Sequence, residues 1–373
     1  MDFSIKKTSA GLLLGAMVLS GQAYADETIK FAYAGPRTGP VTQYGDMVKE
    51  GIDTAVEMIN EQGGINGKKI ELIVEDDACE PKQAVATANR IVSSGIKIVI
   101  GHVCSGATIA AADIYDNEGI IMISPSATAP VLTDGKERFS IFRTTGRDDQ
   151  QSPAAVDYIV KKKAKKVAIL HDKQSYGQGV ATAVKDGLDK NGVPVVLFEG
   201  INAGESDYSA IVTKMKSEDV DFIYYGGYHP ELGLIARQSR ERGITAPIMS
   251  VEGAANNELL TIAGPAAEGL LMTVPKDFSK DPANEAIVKK FRDNNRDPAG
   301  AFQMSSYAAV QSMAKAIEEA GSEDVDTVVE ALHEISIKSP IGEISFDKKG
   351  DLTDFTFIIV HQNKDGSRTE VTD

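Results

Sequence analysis

Beyond residue 19 this chain has no long apolar run, so no later segment reaches the ~20 residues that span a bilayer. Basic residues are outnumbered, 39 Lys and Arg against 54 Asp and Glu, for a formal net charge of −15. Nucleic acid and anionic membrane surfaces both require clustered Lys and Arg, so neither is an expected partner. Histidine is scarce: His102, His171, His229, His333 and His361 lack the paired spacing and Glu neighbour of a zinc helix. Two cysteines are too few for a structural zinc site. No metal or cofactor is expected.

Enzyme motifs are missing as well. A nucleophile elbow needs glycine two residues either side of its serine, and around Ser105 those positions are Val103 and Ala107. The stretch Gly63-Gly64-Ile65-Asn66-Gly67-Lys68-Lys69 is one residue short of P-loop spacing and has Lys69 where magnesium needs a hydroxyl. Gly177-Gln178-Gly179 lacks the third glycine of a dinucleotide site. A hydrolase using Ser105 with His102 or His171 would need spatial convergence alone, and strand-end histidines more often satisfy backbone groups. The chain is not expected to be an enzyme.

The N-terminus carries an export address. Lys6 and Lys7 precede an apolar run from Ala10 to Leu19, and Ala23-Tyr24-Ala25 is a small-x-small cleavage pattern. Cleavage after Ala25 leaves a soluble exported chain, and neither cysteine lies near enough for lipid attachment. An exported chain with only Cys79 and Cys104 is most simply read as carrying one disulfide. That bond would tie the loop bearing Ser105 to the strand end at Asp76-Asp77.

The 373 residues, 42% of them hydrophobic, suggest two domains. Ile29 to Ala34 reads as a strand; Val48, Ile52, Ala55, Val56 and Ile59 then share a helical face that Gly63-Gly64 ends. Ile70, Leu72 and Val74 alternate as a strand, and Pro81 starts a helix with the stripe Val85, Ala88, Ile91 and Val92. A second round of alternation runs from Val167 through strands at Val195–Phe198, Asp221–Tyr225 and Pro247–Ser250. Helical stretches from Asn284, notably Ala301 to Ala320, precede strand candidates at Ile341–Phe346 and Phe355–His361. Two βα blocks argue for two parallel-sheet lobes, completed by the returning tail.

Two successive strands of the first block end in hydroxyl-rich turns: Ile98 to Gly106, carrying Ser105, and Ile120 to Thr128, carrying Ser124, Ser126 and Thr128. In open α/β sheets ligands sit beyond the carboxyl ends of the strands, where N–H groups and short hydroxyls converge. These ends read as a cradle for a small anion.

Three longer strings carry a family resemblance. They are Asp76-Asp77-Ala78-Cys79-Glu80-Pro81-Lys82-Gln83-Ala84-Val85, Ile100-Gly101-His102-Val103-Cys104-Ser105 and Gly226-Gly227-Tyr228-His229-Pro230-Glu231. With His171 to Gly177 and Glu252-Gly253, the chain from Asp26 onward resembles the periplasmic leucine/isoleucine/valine-binding proteins of branched-chain amino acid ABC transporters. The resemblance implies a type I periplasmic-binding-protein clamshell, two doubly wound lobes joined by crossovers near Gly146, Pro275 and Leu352. Lobe 1 would then be residues 26–146 plus 276–354, and lobe 2 residues 147–275 plus 355–373.

The resemblance also implies roles. Ser105 and Thr128, with the Ser126 and Ala127 backbone, would bind a ligand α-carboxylate. Glu252 would pair with its ammonium and Tyr228 would line its head, both from the second lobe. Tyr44, Tyr176 and Phe302 would surround an aliphatic side chain, although Gln303 and Met304 depart from the family pattern. The implied function is binding of free Leu, Ile or Val, with Ala and Thr as further candidates. Closure would precede delivery to the membrane permease subunits of an ABC transporter, with the protein a periplasmic monomer. The competing reading is a protein of the same fold for an amide, urea, or a polar or aromatic amino acid.

Overall fold

The computed structural model describes residues 1–2 and 28–372; the export segment and its cleavage after Ala25 lie outside the described residues. Strand and helix alternate from Thr28 through β1 (Thr28–Gly35), α1 (Thr42–Glu61), β2 (Lys69–Asp76), α2 (Pro81–Ser94), β3 (Ile98–Gly101), α3 (Ser105–Asn117), β4 (Ile121–Ser124) and β5 (Ile141–Arg143). The five strands form one parallel sheet in the order β2-β1-β3-β4-β5. Strands buried on both faces are near-continuous apolar runs, as Ile98-Val99-Ile100 and Ile121-Met122-Ile123 are here.

The second round comprises α4 (Asp148–Lys161), β6 (Val167–His171), α5 (Ser175–Lys190), β7 (Val195–Gly200), α6 (Ser209–Ser217), β8 (Phe222–Gly226), α7 (His229–Glu241), β9 (Ile248–Val251), α8 (Glu258–Ala263) and β10 (Leu271–Pro275). The tail adds α9 (Glu285–Asp293), α10 (Gln303–Ala320), α11 (Val325–Glu334), the hairpin β11 (Ile337–Ser339) and β12 (Gly342–Ile344), then β13 (Phe357–Gln362) and β14 (Arg368–Glu370). Strands β13 and β14 extend the second sheet antiparallel, giving β14-β13-β10-β9-β8-β6-β7. Helix α10 returns to the first lobe and packs on α1, β3 and β4. Two doubly wound parallel-sheet lobes of a type I clamshell result.

The chain passes between sheets three times: after β5, after β10 and before β13. The first and third passages are clamped by buried ion pairs. Asp351 Oδ1 lies 2.6 Å from Arg143 Nε and its Oδ2 2.6 Å from Arg147 Nη1. Among the described residues no helix is long and apolar enough to cross a membrane.

Some sequence expectations need correction. Val85 is exposed, because α2 buries Ala84, Thr87, Ala88 and Ile91 instead, and Val74 is exposed on the edge strand β2. Thr87 can lie inside because its hydroxyl donates to the Asp76 carbonyl at 2.8 Å, a bond no hydrophobic pattern reveals. The Ile341–Phe346 strand shortens to β12, and neither its partner β11 nor the edge strand β14 stood out as an apolar run.

Candidate functional site

Strand order reverses on either side of β1 in the first sheet and of β6 in the second, and such switch points open a crevice between the loops that leave neighbouring strands. The helices that follow β1, β3 and β6 carry Tyr44, Ser105 and Tyr176 in their first turns, and the loop after β8 carries Tyr228. The two crevices face each other. A Cβ added at Gly106, in the first turn of α3, would lie 3.9 Å from Ser175 Oγ in the first turn of α5.

Between them is a cavity of about 20 Å³ lined by Tyr44, Val103, Cys104, Ser105, Ser126, Tyr176, Tyr228, Gly253 and Phe302. It has room for roughly one water, so anything larger enters with the lobes parted. Six of the nine sequence-predicted ligand residues line it. Ala127, Thr128 and Glu252 do not, although Ala127 and Thr128 continue the turn that holds Ser126, and Glu252 precedes Gly253.

On the first lobe, Ser124 builds the turn: its hydroxyl donates to the His102 carbonyl at 2.7 Å and accepts from Ala127 N–H at 3.0 Å. The Ser126 hydroxyl donates to the Val103 carbonyl at 2.9 Å. The Ala127 N–H is thus already engaged, and its carbonyl accepts from Arg143 Nη1 at 2.9 Å. Ser105 Oγ accepts from Ala129 N–H at 3.3 Å. Thr128 Oγ1 is fully buried without a partner. In α3 the first amide turned inward is Thr108 N–H to Cys104 O, which leaves the preceding N–H groups for an anion.

Cys79 and Cys104 form the expected disulfide, with Cα atoms 5.5 Å apart. Cys104 is a cavity wall, and Cys79 Sγ lies 3.9 Å from Tyr228 Oη on the opposite lobe. His102 anchors the same loop from inside, with Nδ1 2.6 Å from Asp77 Oδ2 and Nε2 2.9 Å from Tyr115 Oη. His171 Nδ1 accepts from Lys173 N–H at 3.1 Å. Both histidines therefore satisfy neighbouring groups and do not reach Ser105.

On the second lobe Glu252 is buried. Oε1 accepts from Tyr176 Oη at 2.7 Å, and Oε2 has no partner. Desolvation, reinforced by the Asp148 carboxylate, pushes the Glu252 carboxyl up to about 8. Burial also raises Asp148, whose Oδ1 accepts from Gln151 Nε2 at 2.8 Å and whose Oδ2 is unpartnered. Gln151 Oε1 in turn accepts from Thr273 Oγ1 at 2.9 Å. The sequence reading missed Asp148 and Gln151; an acidic run at a helix start reads as ordinary dipole complementation.

Four rings close the site. Tyr44 lies 5.9 Å from Tyr228 and 5.9 Å from Phe302, and Tyr176 lies 5.3 Å from Tyr228, centroid to centroid. Chemically the arrangement joins anion donors on one wall, a carboxyl with an unpartnered oxygen on the other and an aromatic box between. Among the described residues no cluster of three or more His, Cys, Asp or Glu could hold a metal ion.

The profile of the family described as "Periplasmic binding protein" matches residues 28–367. The chain is similar to the leucine-, isoleucine-, valine-, threonine- and alanine-binding protein of Pseudomonas aeruginosa, at 48% identity over 96% of this chain and 97% of that protein. It is 46% identical to the Leu/Ile/Val-binding protein of Escherichia coli K12 over 99% of this chain and 100% of that one. Among solved structures, a leucine binding protein from Thermotoga maritima superposes with a TM-score of 0.85 at 29% identity, covering 92% of this chain and 98% of its own. A branched-chain amino acid transporter substrate binding protein from Streptococcus pneumoniae, in complex with isoleucine, gives 0.83 at 29% identity over 92% and 99%. With the clamshell and its cleft in place, these likenesses show that the chain belongs to the periplasmic binding protein family.

Proposed function

We propose that this protein binds free branched-chain aliphatic L-amino acids, Leu, Ile and Val, with Ala and Thr as smaller alternatives. It hands them unchanged to the permease subunits of an ABC transporter, working in the periplasm as a monomer. The lobes divide as residues 26–146 plus 276–354 and 147–275 plus 355–373, a division that the sheet membership of the strands supports. The observation that carries the reading is Glu252, a buried carboxyl with one oxygen unpartnered, set across the cleft from the N–H groups of α3 and the free hydroxyl of Thr128.

A zwitterion supplies both missing partners at once. Its carboxylate meets the donors of the first lobe, and closure brings Glu252 and Tyr228 onto its ammonium. A buried charge is tolerable only when paired, so closure favours α-amino acids over simple acids or amines. The aromatic box then ranks side chains weakly, since one methylene is worth only about 1–3 kcal/mol. That weak ranking accounts for shared binding of Leu, Ile and Val.

The test is a thermal-shift screen over the twenty amino acids, in which a ligand of the folded state raises the melting temperature. The largest shift belongs to Leu, Ile or Val, and Glu252→Ala loses most affinity by calorimetry while keeping its fold. Near-native leucine binding by Glu252→Ala would overturn the assignment.

A further inference from the structure

The family resemblance assigns Tyr44 to the apolar lining, yet its hydroxyl makes three contacts on the opposite lobe. From the first turn of α1, Tyr44 Oη donates to the Gly253 carbonyl at 2.6 Å and accepts from Asn256 Nδ2 at 2.7 Å. His229 Nδ1 lies 3.2 Å away. A tyrosine hydroxyl has one donor and two lone pairs; the Gly253 carbonyl takes the donor and the Asn256 amide fills one lone pair. Burial pushes the Tyr44 hydroxyl well above its ordinary range, which keeps the donor proton in place.

The socket is held by contacts within its own lobe. Asn256 Oδ1 accepts from the N–H groups of Glu258 and Leu259 at 2.9 and 3.2 Å, which fixes its amide at the start of α8. His229 opens α7, and its Nε2 lies 3.2 Å from Glu258 Oε2. Asn256 and His229 do not line the cavity, so their effect falls on closure and not on the ligand side chain. Only the three contacts of Tyr44 Oη run between the lobes.

We propose that Asn256 and His229 are positioning residues which, with the Gly253 carbonyl, form a socket for the Tyr44 hydroxyl, and that this latch sets how long the closed, liganded form lasts. The inference rests on closure over an amino acid as proposed above. Ligand docks while the lobes are open, so the latch governs release and leaves capture alone. Opening it exchanges hydrogen bonds for water, and losing the hydroxyl strands the Gly253 carbonyl and the Asn256 amide in the closed form.

The experiment is stopped-flow capture and release of leucine and valine by the wild type, Tyr44→Phe and Asn256→Asp. The second variant keeps the oxygen that caps α8 and removes the donor facing Tyr44. Release accelerates by about tenfold in both variants, by the same factor for both ligands, with capture within twofold of wild type. Release within twofold of wild type in correctly melting Tyr44→Phe overturns the latch. A factor that differs more than threefold between leucine and valine also overturns it and returns Tyr44 to the lining.

Spin labels on the two lobes, read in a mixture of the twenty amino acids and then on dilution, follow closing and reopening without assuming which ligand binds. A wrong ligand assignment leaves leucine silent and the mixture active. An absent latch leaves Tyr44→Phe as slow to reopen as the wild type.

Discussion

Binding of a neutral amino acid to this protein should expel a proton. Glu252 is 2% exposed, with Tyr176 on one oxygen and nothing on the other. Desolvation and the Asp148 carboxylate raise it from 4.5 to about 8, which disfavours the charged form by roughly 5 kcal/mol. At pH 7 such a group is about nine-tenths protonated. An ammonium set against Oε2 favours the carboxylate, so where the ligand-free protein rests in the closed form described here, about 0.9 proton is released per amino acid at pH 7. Affinity should then climb roughly fiftyfold between pH 6 and 8, steeply at first, and level off above.

The ligand-free fold responds in the opposite sense. Its native form holds a proton that the unfolded chain gives up, so this group's contribution to stability falls as pH rises from 4.5 through about 8. Calorimetry at pH 7 in buffers of differing ionisation enthalpy measures the release directly, as the slope of observed heat against buffer heat. Glu252→Gln keeps an oxygen for Tyr176 and has no proton to lose, so its slope should vanish. A wild-type slope within about 0.2 of zero, with tight binding, would falsify the charge assignment at Glu252.

Replacing both Cys79 and Cys104 by Ser opens a loop of sequence separation 25; the chain-entropy model gives a loss of about 3.5 kcal/mol, to be read as a lower urea midpoint. Asp351→Ala leaves the buried guanidinium of Arg143 unpaired and should cost roughly 3–5 kcal/mol by the same assay; a loss under 1 kcal/mol would mean the cluster is dispensable. In Gly253→Ala the new methyl would stand 2.6 Å from Tyr176 Cε1. Displacing that ring disturbs the Glu252 bond, and leucine affinity should drop at least tenfold by titration with little change in melting temperature.

The part of the site closest to the sheet was legible in the sequence. Apolar runs ending in Ser105 and in Ser126 to Thr128 mark strand ends, and the crevice rule places ligands there without any relative to consult. Glu252, Tyr176 and Phe302 were assigned through resemblance, since a lone glutamate or aromatic has no local pattern that separates lining from core. The latch and the Asp148–Gln151 pair were not legible at all. Tyr44 and Gly253 are 209 residues apart, and their meeting is a property of lobe closure and not of any periodicity. Thr87 shows the same limit on a small scale: the pattern chose Val85 because a hydrogen bond to a strand-end carbonyl is invisible in hydropathy.

The interleaved chain also sets a timetable. Helix α10, residues 303–320, covers β3 and β4, and β13 near the C-terminus pairs with β10. The first sheet is spelled out by Arg143, yet it stays uncovered on that side until α10 has been made. At about 5–20 residues per second, synthesis leaves it so for roughly 10–35 s. Neither lobe can finish folding on a growing chain. If the chain is exported as proposed, that delay would keep it loose enough to be threaded across a membrane first.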